Sequence, residues 1–434
     1  MGEAQEQGEL GGVRMSFDSL LRQAGVGKVA EYEGYYEGTT RLDSLGVSLP
    51  PAVRVLEMAA PFPKMAVDVL AEVLNPEGYI LSGDNETPKL LRRWWAANNL
   101  DTQVKLGITE ALVQGSSYFI VGPGRGDVPR VTVHRPIGCA VSYDHMGDVA
   151  EGLRRYKIGD DRFASYYLPG ETRYFRYSQG MWRQAAEPTI TGSSRPAMVP
   201  LVNKSRLGDV NGRSEIAEVA KMTDAGSRSL TNLQVAQELL AMPTRYLFGD
   251  GLEALKDQSG NPIDKIAAYF GRFLTGPAGA EAGQIPGADL TSIINSYKLY
   301  AQIVSAITGI PPQMLGISTD NPSSAEAMRV AKDRLIARAE VKQSMFGDAL
   351  EVVALIQLEM EGKVPENVES LEMQWRDPAL ASVSAKSANL LQAHSQGVVS
   401  GETAREGLQL TPEQRARENE RGVTDNRVRE QMGA

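Results

Sequence analysis

The sequence predicts an α+β protein in which strands and helices occupy separate stretches of chain. Three observations carry this. Short aromatic or β-branched runs crowd into residues 116–185. Helical periodicity dominates residues 51–115 and returns from about Ser214. From Ser323 to Gly362 it then persists for about 38 residues, on the order of 55 Å at 1.5 Å per residue. Separate runs of strands and helices mark the α+β class, whereas regular alternation marks a parallel α/β sheet.

Composition sets the bounds. A chain of 434 residues holds two to four domains at roughly 100–200 residues each. Hydrophobic and charged contents of 42% and 23% are those of an ordinary folded protein. Cys139 is the only cysteine, which excludes an intrachain disulfide framework and fits a reducing compartment. The opening MGEAQEQGELGGVR is polar and glycine-rich, so residues 1–30 are expected to form a loose arm. No apolar run approaches the roughly 18 residues of a membrane span, and no membrane partner is expected. The net charge of −9 is the opposite of what a protein gripping DNA along its surface carries. Any nucleic acid should be met loosely or through a small local patch.

The elements follow in order. In TPKLLRRWWAANNLD, Thr87 suits a helix N-cap and Pro88 the first helical position. Asp101 suits the next cap, Val104, Ile108, Ala111 and Leu112 make one apolar face, and Gly115 ends the helix. Strands are predicted in SSYFIVG, RVTVHR, CAVSYD, LRRYKI, RFASYYL and TRYFRYSQGMWRQ, with Ser178-Gln179-Gly180 as a hairpin turn. Residues 186–213 read as irregular. Ile216, Val219, Thr223, Leu230, Leu233 and Leu240 recur at helical spacing up to Met242, with Glu215 and Glu218 where the helix dipole favours acids. Pro243 stops that helix. Residues 243–288 form a glycine- and proline-rich insertion, and a second helix runs from Asp289 to about Thr308, closed by Gly309 and Pro311-Pro312. Ser323 and Glu326 make a capping box that opens the long helix, with Gly347 as the place for a bend. Residues 380–434 read as a charged helical tail. No internal repeat is visible.

Groups for chemistry are scarce. GPGRGD (Gly122–Asp127) lies between two strands and lacks a following GK[ST], so it reads as a tight connection, not a phosphate cradle. AGVGKV near residue 26 lacks the magnesium-holding Ser or Thr. His134, His145 and His394 are scattered, and with one cysteine they do not make a zinc site. No G-x-S-x-G or H-E-x-x-H occurs. The expectation is therefore no catalytic residue, no metal and no cofactor. Trp94-Trp95 and Tyr166-Tyr167 are adjacent pairs whose side chains diverge, so they read as core, not as a base-stacking platform. Arg329, Lys332, Arg334, Arg338 and Lys342 make the first half of the long helix slightly basic, and a solvated face with i,i+4 pairs accounts for it.

Three stretches carry a family resemblance. They are NKSRLGDVNGRSEIAEVAKMTDAGSRSLTNLQVAQELLAMPTRYLFG, AITGIPPQMLGISTDNPSSAEAMRVAKDRLIARAE and WRDPALASVSAKSANLLQAHSQGVVSGETAREGL, joined by ITEALVQGSSYFIVGP in the body. In this order they resemble the portal proteins of long-tailed bacteriophages, of the type common in actinobacteriophages. The likeness spans roughly residues 50–420. It implies a ring, typically a dodecamer, at one capsid vertex. Double-stranded DNA passes through it without sequence reading, a terminase large subunit drives packaging, and a head-tail adaptor docks afterwards. Major capsid and scaffolding proteins would surround it, with assembly in the host cytoplasm and residence in the virion.

Carried onto this sequence, residues 31–213 would be the first part of the wing, helices then antiparallel strands. Residues 214–242 and 289–309 would be stem helices, and 243–288 a small α/β clip with Lys256, Ile263, Lys265, Tyr269 and Phe270 as docking side chains. Residues 310–324 would hold the tunnel loop: Gly316, Ile317, Ser318, Thr319, Asp320, Asn321, Pro322, Ser323 and Ser324. Residues 323–379 would be the long kinked wing helix and its return, with Arg329, Lys332 and Arg334 facing DNA. Residues 380–434 would be the crown and tail. A loop of small polar residues offers DNA no base-specific fork and little charge to grip. Two other classes stay open at this point: a nucleic-acid enzyme of the packaging machinery, either nuclease or ATPase, and a minor head or scaffold protein that never meets DNA.

Overall fold

The helical first quarter of the chain is interrupted by a strand that local sequence conceals. The computed structural model describes residues 16–24, 29–42, 51–84, 86–240, 245–248, 281–284, 290–317, 325–379, 392–398 and 417. Helix α1 (16–23) and α2 (Val29–Glu37) precede a 3-10 turn at Pro51–Leu56. Helix α3 (Phe62–Val73), strand β1 (Pro76–Leu81), α4 (Glu86–Ala97) and α5 (Leu100–Gln114) follow. Next come β2 (Ser116–Arg125), β3 (Val128–His134), β4 (Cys139–Tyr143), β5 (Val149–Ile158), β6 (Asp161–Leu168), β7 (Glu171–Ser178), β8 (Met181–Ile190) and β9 (Met198–Val202). Helix α6 (Ile216–Leu240), β10 (Arg245–Phe248), β11 (Glu281–Gln284), α7 (Thr291–Thr308), α8 (Ala325–Met360) and β12 (Leu371–Trp375) complete the order. Two units result: Met1–Thr39 with Pro61–Ala220 and Val304–Ala434, and Thr40–Ala60 with Lys221–Ile303. The clip side chains Lys256 to Phe270 and the loop residues Ser318–Ser324 lie outside the described residues.

In the first unit, β4 to β8 form a five-stranded antiparallel meander in sequence order. The β7–β8 hairpin turns as the sequence predicts, with Gln179 and Gly180 both left-handed at φ 51° and 82°. A second sheet has the order β3-β2-β9. GPGRGD is indeed its tight connection: Arg125 pairs with Val128, and a Cβ on Gly124 would lie 1.6 Å from the Val128 carbonyl oxygen. Tyr166 and Tyr167 point to opposite faces of β6. Tyr166 packs with Phe17, Leu20 and Leu153, while Tyr167 packs with Tyr118, Val141 and Met198. Trp94 and Trp95 are fully buried. Neither pair is available for stacking on bases.

Several details differ from the sequence reading. Residues 76–81 are a strand within the expected helical region, paired with β12 through Tyr79↔Met373 and Leu81↔Leu371. Its partner lies far along the chain, so no local period revealed it. Residues 186–213 are partly regular: β8 runs on to Ile190, and β9 pairs with β2. Asp84, not Thr87, caps α4, accepting from the amides of Glu86 (2.7 Å) and Thr87 (3.3 Å) and from the Thr87 hydroxyl (2.6 Å). Asp101 is already inside α5, where it accepts from Trp95 Nε1 at 2.9 Å. Gly115 does end α5, at φ 96°.

Helix α8 runs through Gly347 without interruption. A Cβ there would meet the Trp375 indole nitrogen at 3.3 Å, so the glycine serves close packing of β12 against the helix. Leu335, Ala339, Phe346, Leu350, Val353 and Ala354 form the buried stripe of α8. Phe346→Ala should cost about 3–5 kcal/mol, the usual range for emptying a buried phenylalanine site. The exposed Leu106→Ala should fall within about 0.5 kcal/mol of wild type. Denaturant unfolding of the two variants checks both.

Candidate functional site

The buried side of α8 contains a charged residue that an apolar stripe should exclude. Lys342 sits between Ala339 and Phe346, and its side chain is only 6% exposed. Its partner is Glu215, immediately before α6, whose side chain is 5% exposed. Lys342 Nζ lies 3.1 Å from Glu215 Oε1, and one turn earlier the Arg338 guanidinium binds Oε2. Asn203 Nδ2 donates to Oε1 at 3.0 Å. The carboxylate thus receives two cations and an amide while largely withdrawn from water.

Four segments are fixed by this arrangement. The Glu215 amide donates to Leu112 O at 2.9 Å and the Ser214 hydroxyl to Val113 O, both on the last turns of α5. Asn203, just past β9, donates from its backbone amide to Gly115 O at 2.8 Å and from its side chain to Arg213 O at 2.7 Å. Gly115 and Gly212 meet so closely that a Cβ on Gly212 would sit 1.9 Å from Gly115 O. Lys342 also donates to Lys204 O at 3.2 Å.

Arg338 does more than pair with Glu215. It donates to Thr308 O at 2.5 Å and Ile307 O at 3.4 Å, and Arg334 donates to Ala306 O and, at 3.4 Å, to Ile307 O. Two guanidiniums therefore cover the carbonyl end of α7, where the helix dipole is negative. Gly309, at φ 75°, lets the chain turn away beneath Arg334, whose Cγ would be 2.9 Å from an added Cβ. Arg338 consequently joins the start of α6 to the last turn of α7, close in sequence to the crossings between units at Ala220 and Val304.

The pKa of Glu215 follows from the same contacts. Burial alone works to raise it, but the charges of Lys342 and Arg338 and the hydrogen bonds from Asn203 and Lys342 outweigh burial and hold the carboxyl below the ordinary glutamate value. Elsewhere, burial and the nearby Arg154 push His134 down to about 4, so it is neutral at pH 7 and serves as a partner of the Thr132 hydroxyl at 2.9 Å.

The structure distributes the sequence-predicted residues as follows. Gly316 is exposed and left-handed at φ 76°, while Ile317 is buried and shows its side chain to the chain's own interior. Lys332 is exposed, Arg334 is engaged at the end of α7, and the side chain of Arg329 lies outside the described residues. Arg338 and Lys342 are not a solvated face with i,i+4 partners, because both turn toward Glu215. One signal in the sequence pointed there: Leu335, Ala339, Lys342 and Phe346 follow each other at helical spacing, which puts the lysine on the apolar side.

A structural phage protein is the class that this fold defines once it is set beside known proteins. The family model "Phage portal protein, SPP1 Gp6-like" matches residues 24–421, and the chain belongs to that family. The portal protein of Mycobacterium phage D29 is 34% identical over 395 residues, covering 86% of this chain and 81% of its own. That of Mycobacterium phage L5 is also 34% identical, covering 87% and 81%. Among solved structures, a chain in the neck of an empty gene transfer agent particle with C6 symmetry shares the fold, with TM-score 0.50 and 16% identity over 84% of this chain and 95% of that one. The protein is a virion component.

Glu215→Gln keeps the shape, leaves the buried Lys342 without an anion and leaves Arg338 with only Glu218 at 3.9 Å, so it should cost about 3 kcal/mol or more. The pH dependence has a definite sign. A glutamate held below its unfolded value near 4.5 contributes fully above that pH and loses its contribution as pH falls through its lower folded value. Thermal melts should therefore show wild type losing stability below about pH 4.5 more steeply than Glu215→Gln.

Proposed function

We propose that this portal protein works as a passive ring subunit through which double-stranded DNA moves during packaging and ejection. Helices α6 and α7 are its stem, and residues 243–288 are the clip that receives the terminase large subunit and later a head-tail adaptor. Residues 316–324 hold the loop that faces DNA, through Gly316 and residues 318–324 and not through the buried Ile317. Assembly in the host cytoplasm into a dodecamer, with capsid and scaffolding proteins around it, completes the reading. It has no catalytic step of its own: DNA is driven by the separate terminase. Sequence-independent sliding requires few directed contacts, and a loop of Gly, Ser, Thr, Asn and Pro with one Asp and one inward Ile meets that requirement.

One observation carries the ring. From Thr291 to Tyr300, α7 buries no residue, and Ile294 and Leu299 are 39% and 53% exposed. A helix of this length draws most of its stability from packing an apolar face. Sister copies supply that packing in a ring. Leu299→Glu should block ring formation in mass photometry or electron microscopy while leaving the melting temperature of the monomer within a few degrees of wild type. Rings of unchanged size and yield from this variant would contradict that role for α7.

A further inference from the structure

The five-stranded meander ends in a basic prong that the channel reading does not use. Between residues 154 and 183 the sequence has seven cations and three carboxylates, in a chain whose net charge is −9. The strand register gathers these cations. Lys157 of β5 lies opposite Arg162 of β6, and Tyr177 of β7 opposite Trp182 of β8; one step beyond the Phe163–Arg176 pair, Arg162 meets Tyr177 and completes a row across four strands. Four strands span roughly 14 Å at about 4.8 Å spacing. The neighbouring row, on the other face, is Tyr156, Phe163, Arg176 and Arg183.

The cations are held ready. The Arg162 guanidinium lies over the Tyr177 ring at 3.9 Å and that of Arg154 over Tyr156 at 4.8 Å, while Tyr156 and Phe163 stack at 5.7 Å. Arg155, Lys157, Arg162, Tyr177 and Trp182 line a concavity of about 690 Å³, with Asp160 as its one carboxylate. Arg176 pairs with Asp161 at 2.7 Å. Among the described residues, Arg155, Lys157, Arg162 and Arg183 have no ion pair.

We propose that this prong, residues 154–163 and 173–183, is a second contact site for duplex DNA, distinct from the loop of residues 316–324. The inference rests on the portal reading only for the presence of DNA. Cations without carboxylate partners, braced on aromatic rings, suit the phosphates of a duplex. An acidic protein segment would meet the same charge, and the exposed Ile137 beside the concavity would suit it. Two features favour DNA. Both faces of the prong carry cations, whereas a protein partner covers one face. The concavity is lined by three cations against one carboxylate and that one aliphatic side chain.

The test uses closed circular duplex DNA, which cannot thread a closed ring, with the full chain at low salt. Wild type should shift the circle in a gel, and binding should weaken steeply with salt. The variant Arg155→Glu/Lys157→Glu/Arg162→Glu should bind at least tenfold more weakly. Its logarithmic salt dependence should be shallower by roughly 0.9 for every phosphate it no longer neutralises. Replacing the same three residues by Gln should give an intermediate loss, and Lys105→Glu, exposed on α5, should give none. Melting curves confirm that the variants fold. Wild type that ignores the circle, or a triple variant that binds it like wild type, overturns the proposal, and the first of these results favours an acidic protein partner. Ring formation is read separately by mass photometry: its loss would refute the portal reading while leaving circle binding to decide this one.

Discussion

A carboxylate removed from water must be answered by positive charge, and in this chain the answer organises the molecule. The penalty for desolvating an ion is several kcal/mol, so Glu215 is tolerable only where cations and donors converge on it. Convergence means that α8, the end of α5, the exit of β9 and the start of α6 all have to arrive at one place. Arg338 extends the same constraint to the last turn of α7. An apolar cluster at this position would tolerate rotation and slippage. A carboxylate with a lysine on one oxygen and an arginine on the other admits far fewer arrangements.

The placement matters because most of the second unit, Lys221–Ile303, is one excursion from the first. The chain departs near Ala220 and returns near Val304, and both flanking segments are fastened within the first unit by α8. Between those points the balance of forces changes. The first unit closes its own cores around Trp94, Trp95, Phe119, Tyr166 and Phe346. The opening ten residues of α7 bury nothing. A protein that anchors a helix so firmly at one end while leaving its other half uncovered is built for packing that a single copy does not supply.

How legible this was depended on the range of the interaction. The meander was readable because each strand pairs with its sequence neighbour and the turns carry their own signals, as at Gln179-Gly180. The burial of Trp94 and Trp95 followed from their adjacency. Strand β1 was not readable, since six residues containing Pro and Gly become a strand only against β12. The Glu215 cluster fell between these cases. Its helix-start position was visible, and Lys342 stood in an apolar stripe. Their meeting depends on tertiary folding, which no periodicity encodes. The family resemblance added order and role to these elements, and the family match over residues 24–421 supports it. It did not locate the ion cluster.

Charge is divided by place in this chain. A duplex that has to move must not be gripped where it moves, since every bound phosphate adds a release step, and the loop placed against DNA in the proposed reading carries one acid and no base between Gly316 and Ser324. The acidic remainder of the chain discourages adhesion elsewhere. The cations in the first half of α8 do not contradict this, because Arg334, Arg338 and Lys342 are occupied by carbonyls and by Glu215. The prong of the meander differs, because several cations without carboxylate partners stand there on both faces of one sheet. In the proposed reading, basicity placed there would let DNA be held at a site other than the loop it slides past, which would reconcile an acidic protein with a polyanionic cargo.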